Sequence, residues 1–388
     1  METINIEKMS GMKTAITSIL ALFFLLLSIS NAYSQEEAED EDIDWDAYGE
    51  VEYVGGQTKS YANAKIVGLS PAKFVTIGYE QQLPYDVRFS TIDKDAYPFD
   101  QDREEAIDDN LAQTDRVGYT GGLRINANIP VISTNSFIWQ MGFNYMQSAY
   151  RFNEDDLLEG GLKEQLDGRS LHTTGLFTTL YKPFNETTFM LLQAQADMSG
   201  DYDLSNLGDQ YLRYSAAALF GKRPHDRLQW AVGLSRTYRV GAPNYVPIIL
   251  YNYTSPNKKW GIEALLPARA FYRYSINQTN LLLAGFELEG ASYRIGGLSN
   301  PTAGQISSFE IRRGEIKARL EYQRRLVGFF WWSVQAGVRI DYSYDADYLD
   351  NGDETLRVFG ILGDAPFSMR NSLGPAPYFN FSISFVSP

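Results

Sequence analysis

The sequence has 388 residues, 44% of them hydrophobic and 14% aromatic, and it contains no cysteine. The formal net charge of -14 excludes nucleic acid as a partner, because surfaces that bind nucleic acid are basic. The absence of cysteine excludes a disulfide framework and a lipid anchor attached to cysteine. A chain of this length also has no room for the plug of a large energised transporter.

The N-terminus has the pattern of a secretory signal peptide. Two lysines precede an apolar run from Ala15 to Ile29, and Ala32-x-Ser34 supplies the small residues that a signal peptidase requires. A retained helical anchor is the alternative, but the run is short for a membrane span. We therefore predict a signal peptide over residues 1–34 and an exported protein.

An acidic segment follows, over residues 35–59, and has little to bury, so we predict that it is disordered in the periplasm. Residues 60–388 are predicted to form an outer-membrane β-barrel. The stretch from Tyr48 to Ser70 alternates only weakly. It forms either an extra strand pair or a small segment inside the lumen, and the sequence leaves both open.

The stretch from Ser308 to Tyr344 shows the architecture most clearly. Charged residues alternate with apolar ones from Ile311 to Gln323, and the alternation resumes at Phe330 after a short turn, which predicts two long antiparallel strands. The apolar face begins and ends in aromatic residues, which is typical of the girdles of a transmembrane strand; they are Phe330 and Trp332 at one end and Tyr342 and Tyr344 at the other. A soluble antiparallel sheet with one solvated face is the alternative.

Similar period-two runs begin at Lys73 and recur to the C-terminus, and they predict an all-β fold, a transmembrane antiparallel up-and-down barrel of about fourteen strands. Twelve or sixteen strands remain open, because Tyr48 to Ser70 and Trp260 to Ser275 are ambiguous. Long and short gaps alternate between the strands, as in outer-membrane barrels, with one compact exception at Leu266-Pro267. The predicted long loops are Leu83 to Asp115, Tyr150 to Ser170, Gly296 to Ser307 and Asp345 to Pro377.

The last predicted strand runs from Tyr378 to Val386 and places Phe379, Phe381, Ile383 and Phe385 on one face. It resembles the insertion signal that the outer-membrane assembly machinery reads, although three residues follow the last Phe. The other expected partners are outer-membrane lipid and lipopolysaccharide, and the expected location is the outer membrane of a Gram-negative bacterium.

Three stretches carry a family resemblance: Tyr245-Val-Pro247, the run from Asn257 to Pro267, and Glu289-Gly-Ala-Ser-Tyr293-Arg294. They resemble uncharacterised outer-membrane β-barrel families of Gram-negative bacteria, known as domains of unknown function. The resemblance covers the C-terminal half well and the rest only by pattern. It implies a fold and a location, and no substrate.

Candidate catalytic chemistry is sparse. His172 and Thr174 share one face of a strand and Asn185 is nearby, but the serine nucleophile of outer-membrane phospholipases has no counterpart, so we predict no enzymatic activity and no cofactor. Acidic residues from Asp345 to Glu354 depart from the spacing of a calcium loop at Leu349, so no metal site is predicted.

The predicted lumen holds the usable chemistry, because charged residues alternate inward along several strands. They are Arg124, Arg213, Arg239, Arg269, Arg273, Glu287, Glu289, Arg313, Glu315, Lys317, Arg319, Glu321, Arg339 and Asp341. We predict a channel or transporter for small solutes, with preference for anions because cations outnumber carboxylates in this set. The alternative is a structural or surface-interaction barrel whose lumen these residues fill by pairing.

Overall fold

The computed structural model describes residues 66–92, 107–152, 166–202, 208–238, 244–296, 308–348, 357–358 and 369–386. The predicted signal peptide and acidic segment lie outside these residues. The described strands are β1 (Lys73–Gln82), β2 (Tyr85–Ile92), β3 (Ile107–Thr134), β4 (Phe137–Phe152), β5 (Ser170–Pro183), β6 (Thr188–Gly200), β7 (Leu212–His225), β8 (Leu228–Thr237), β9 (Asn244–Thr254), β10 (Trp260–Leu266), β11 (Arg269–Asn277), β12 (Asn280–Gly296), β13 (Ser308–Val327), β14 (Phe330–Tyr348), β15 (Arg357–Val358), β16 (Met369–Leu373) and β17 (Ala376–Val386). A 3-10 turn, Asp209–Tyr211, precedes β7. None of the described residues forms a helix long and apolar enough to cross a membrane.

The strands close into an antiparallel barrel. Neighbours in sequence pair from β3 through to β14, β14 pairs with β17, and β1 joins β17 to β3. Of the seventeen described strands, β2 and β16 prolong the wall at one end and β15 is a two-residue addition beside β9. The remaining fourteen form the closed wall, which confirms the predicted strand number.

The period-two pattern explains which side chains face outward. Large apolar residues are exposed along the outer surface, among them Ile77, Leu176 and Ile340, as expected for a surface that contacts acyl chains. Aromatic rings pack side by side near one end of that surface, with 5.4 Å between the ring centroids of Tyr253 and Trp260. Phe379, Ile383 and Phe385 are exposed as predicted for the last strand.

Turn lengths distinguish the two ends of the barrel. Connections of two to five residues join β3 to β4, β5 to β6, β7 to β8, β9 to β10, β11 to β12 and β13 to β14, all at one end, which we call the short-turn end. The other end, the long-loop end, has the longer connections and the tight β10–β11 hairpin. The predicted hairpin at Leu266-Pro267 is thus confirmed. It is also confirmed as the exception to the alternation of long and short connections.

Two predicted loops contain more strand than expected. Tyr85–Ile92 pairs with the first part of β3, inside the stretch predicted as the loop Leu83 to Asp115, and β16 lies inside the predicted loop Asp345 to Pro377. These additions prolong the wall toward the long-loop end. Side chains from these additions and from the neighbouring wall form a buried apolar cluster, the apolar plug: Tyr85, Val87, Phe89, Val117, Tyr150, Leu166, Leu171, Ala291, Tyr293, Ile295, Ile311, Tyr344, Ala346, Leu373 and Ala376.

The inclusion of Tyr344 in this plug corrects one prediction. Tyr342 is exposed, but Tyr344 is only 2% exposed and faces inward. The pairing of β13 with β14 shifts by one residue between Gly314 and Glu315, where two partners on β14 oppose one. Such a bulge reverses the alternation beyond it, so a period-two reading places Tyr344 on the wrong face.

On one side of the barrel, the wall extends less far toward the long-loop end. The β10–β11 hairpin ends at Arg269, which pairs with Glu287, whereas β12 continues to Gly296. Near its C-terminal end β12 pairs with β6 instead, through Arg294 and Gly200. At this level β12 and β6 are direct neighbours, without β7 to β11 between them. Leu288 still donates its amide to the carbonyl of Ala268 at 2.7 Å, but no ladder of the described strands continues on that side of β12 over the stretch from Glu289 to Tyr293. We call this stretch the open edge of β12.

Candidate functional site

A group of buried charged residues lies across the middle of the lumen. Glu80 on β1 accepts hydrogen bonds from Arg124 Nη2 at 2.8 Å and Lys317 Nζ at 2.7 Å, and also from Arg339. Glu289 on β12 binds the same three cations, at 3.2 Å from Arg124, 3.0 Å from Lys317 and 2.8 Å from Arg339. We call these five residues the ion-pair network.

The network crosses the lumen rather than following the wall. Arg124 lies on β3 and Glu289 on β12, and four strands separate these two in the wall. Only a contact through the interior can join them. Glu80 and Arg339 are 3% and 1% exposed, so the desolvation of these charges is offset only by their mutual pairing.

The network continues toward the long-loop end. Glu315 accepts hydrogen bonds from Arg339 Nε at 2.8 Å and Arg313 Nη2 at 2.9 Å. Arg313 also donates to Tyr150 Oη at 2.7 Å, at the base of the apolar plug, and its Nε lies 3.4 Å from Asp341. The ion pairs are therefore in direct contact with the apolar plug, through Arg313 and Tyr150.

The structure places most of the predicted lumen residues inside. Arg319 pairs with Glu287 at 2.6 Å and with Glu321 at 3.3 Å, and Arg273 pairs with Glu263 at 2.9 Å. Arg269 is exposed at the tip of the β10–β11 hairpin, because the wall ends there. Arg239 lies outside the described residues.

Arg213 has an unexpected partner. It points inward from β7 and donates to Glu310 at 2.6 Å, although Glu310 lies on the side of β13 opposite to Ile311, which is in the plug. This contact, like the pairing of β12 with β6, brings the ends of β12 and β13 to β6 and β7 above the β10–β11 hairpin. Alternation along one strand cannot show such a contact.

Glu80, the centre of the network, is absent from the predicted set. It alternates with Ile77 and Tyr79, which face lipid, so the period-two rule applied to β1 also predicts an inward Glu80. With Glu80 and Glu310 included, the cations of the described lumen are matched by carboxylates. The predicted excess of cations over carboxylates is therefore not found among the described lumen residues, which removes the stated reason for anion preference.

A cavity of about 310 Å³ runs beside the network. On β1 its lining extends from Lys73, near the short-turn end, to Glu80, and on β12 it extends from Glu287 to Ser292. Both faces of β12 contribute to this lining because the open edge of β12 borders the cavity. The volume accommodates about ten water molecules at ~30 Å³ each, or one small organic solute.

The segment before β1 lies across the short-turn end. The amide of Val67 donates to the carbonyl of Asp226 in the β7–β8 turn at 2.9 Å. The amide and hydroxyl of Ser70 both donate to Glu263 Oε1 on β10, each at 2.9 Å. Residues 66–72 therefore span the mouth from β1 to β8, and we call them the strap. Of the two possibilities left open for Tyr48 to Ser70, its last residues fit the segment inside the barrel.

The described residues of the other two candidate sites, catalytic and metal-binding, do not come together in the structure. His172 and Thr174 face outward on β5, where His172 Nδ1 lies 2.8 Å from Tyr145 Oη, while Asn185 caps the β5–β6 turn at the opposite end of that strand. Among the described residues, no group of three or more His, Asp or Glu side chains is placed to hold a metal ion. Most of the acidic stretch from Asp345 to Glu354 lies outside the described residues.

Three of the solved structures to which this chain is similar come from Pseudomonas. The COG4313 outer-membrane channel from Pseudomonas putida F1 is 12% identical, with a TM-score of 0.39 over 87% of this chain and 100% of that chain. A FadL homologue from Pseudomonas aeruginosa is 9% identical, with a TM-score of 0.34 over 80% and 89%. The Pseudomonas putida toluene transporter TodX is 11% identical, with a TM-score of 0.31 over 85% and 96%.

A search of curated proteins finds no similar sequence. A family model does match, over residues 112–345, which is more than half of the chain and includes the strands from β4 to β13. The resemblance to an uncharacterised barrel family is thereby confirmed. The chain belongs to the family defined by this domain of unknown function, DUF6268.

Proposed function

We propose that the protein is an outer-membrane channel or transporter for small solutes. The cavity beside the ion-pair network carries this proposal, because it extends along the barrel axis past the level at which the charges pair. A barrel that served only as a scaffold would gain stability from filling this space with side chains. The short turns and the strap then face the periplasm, and the long loops face outward.

A structural or surface-interaction role is the second candidate. It is favoured by the ion-pair network and the apolar plug, which together occupy much of the interior. In that role the cavity holds water only, and no solute crosses the barrel.

Solute flux through liposomes that contain the purified full chain distinguishes the two roles. Asn126 faces the cavity from β3 and is exposed to it, so Asn126→Trp places a large ring in the path. Ile129 lies on the same strand, is 58% exposed and faces lipid, so Ile129→Trp is the matched control. We expect flux in the wild type and in Ile129→Trp, and a severalfold loss in Asn126→Trp. Absence of flux above protein-free liposomes in all three supports the structural role.

A further inference from the structure

The neutral polar side chains of the cavity form a second kind of lining, distinct from the ion-pair network. They come from strands on both sides of the lumen: Thr76, Asn126, Asn144, Thr173, Ser199, Gln335, Asn380 and Ser382. Hydroxyl pairs within this set satisfy one another, as with Thr173 and Ser199 at 2.9 Å. Ser382 likewise pairs with Ser333, at 2.7 Å.

Three amides in this lining retain their hydrogen-bonding capacity. No hydrogen bond joins the side chain of Asn126, Gln335 or Asn380 to another of the described residues. Each amide offers two N–H donors and one carbonyl acceptor. They lie on β3, β14 and β17, and Gly78 on β1, between β3 and β17, also lines the cavity. We call these three residues the amide wall.

The cations that line the same cavity already have carboxylate partners. Lys73 pairs with Glu321, Arg124 and Lys317 pair with Glu80 and Glu289, and Arg319 pairs with Glu287 and Glu321. An entering ion would have to compete with a partner already in place, or lose its hydration without compensation. A neutral solute needs only hydrogen bonds, which the amide wall supplies.

We infer that the amide wall is a binding site for an uncharged, hydroxyl-rich solute of the size of a small polyol. This inference rests on the proposed function, because the site lies on the path through the barrel. A hydroxyl group can donate a hydrogen bond to an amide carbonyl and accept one from an amide N–H. A solute without hydroxyl groups would leave these polar groups of the site unpaired, and the site therefore disfavours it.

Sorbitol and gluconate test the inference, because they share a carbon skeleton and differ in charge. Swelling of liposomes containing the full chain is followed in sorbitol and in potassium gluconate, with valinomycin added so that potassium does not limit gluconate entry. We expect sorbitol to enter about tenfold faster, since the anion finds no free cation. Asn126→Leu combined with Asn380→Leu should lower the sorbitol rate to that of gluconate, while the lipid-facing Ile129→Leu leaves it unchanged.

Equal rates for the two solutes, or faster entry of gluconate, would overturn the inference and leave the proposed function standing. Entry of neither solute would overturn the proposed function and the inference with it. The comparison of solutes uses the wild type alone, so it holds even if the double variant does not fold.

Discussion

At the scale of single residues, Glu80 is the carboxylate on which three lumen cations converge, and it is 3% exposed. Replacing it with glutamine keeps the shape of the side chain and removes one negative charge from the network. Arg124, Lys317 and Arg339 would then share Glu289 and Glu315 only. Breaking a buried charge group in this way costs about 3–5 kcal/mol, because a cation is left without compensation.

We therefore expect Glu80→Gln to unfold at a clearly lower urea concentration than the wild type in matched lipid vesicles. Ile77→Val, on the lipid-facing side of the same strand, is the control for strand β1. An unfolding midpoint of Glu80→Gln equal to that of Ile77→Val would show that the network contributes little to stability.

Which residues face the lumen could be predicted where a strand pairs regularly. Arg124, Lys317 and Arg339 follow from alternation alone, and Glu80 follows from the same rule. Tyr344 does not, because one bulge shifts the register beyond Glu315. The pairing of Arg213 with Glu310 also could not be predicted, since it depends on the ends of β12 and β13 reaching β6 and β7.

At the scale of elements, the strap is held to the barrel by few contacts. Two of its three described backbone and side-chain bonds end on Glu263, which also pairs with Arg273. Its third bond joins Val67 to Asp226. A segment held this way can be released without disturbing the pairing of the wall strands.

We expect the double variant Val67→Pro, Ser70→Pro to raise solute flux severalfold in the liposome assay, because proline has no N–H to donate and the second substitution also removes the hydroxyl. Ser70→Ala keeps the amide bond to Glu263 and serves as the control, with a smaller effect. Flux in the double variant no greater than in Ser70→Ala would mean that the strap does not obstruct the path.

Strand existence and order were predictable from the period of two, whereas strand ends were less so. The acidic residues between Leu83 and Asp115 suggested a loop, yet Tyr85–Ile92 and the first part of β3 form a ladder there. Outside the bilayer both faces of a strand meet water or protein, so polar and charged residues no longer mark the end of a strand.

At the scale of the whole molecule, the fourteen described wall strands close on one another, and the open edge of β12 lies toward the long-loop end. Such a barrel resists detergent until heated. We expect the protein in the outer-membrane fraction of a Gram-negative host, with unheated samples running faster than boiled ones on denaturing gels. Recovery in the soluble periplasmic fraction, without such a shift, would contradict the proposed location.

The ion-pair network also has a consequence for the order of folding. The partners of Glu80 are far from it in sequence, Lys317 by 237 residues and Arg339 by 259. Contacts of such long range form slowly, because a large loop must close before they contribute. Glu80 therefore remains without two of its three cations until β13 and β14 are in place, which is also when β17 can join β1. Closing the seam of the barrel and neutralising its interior are thus a single late step.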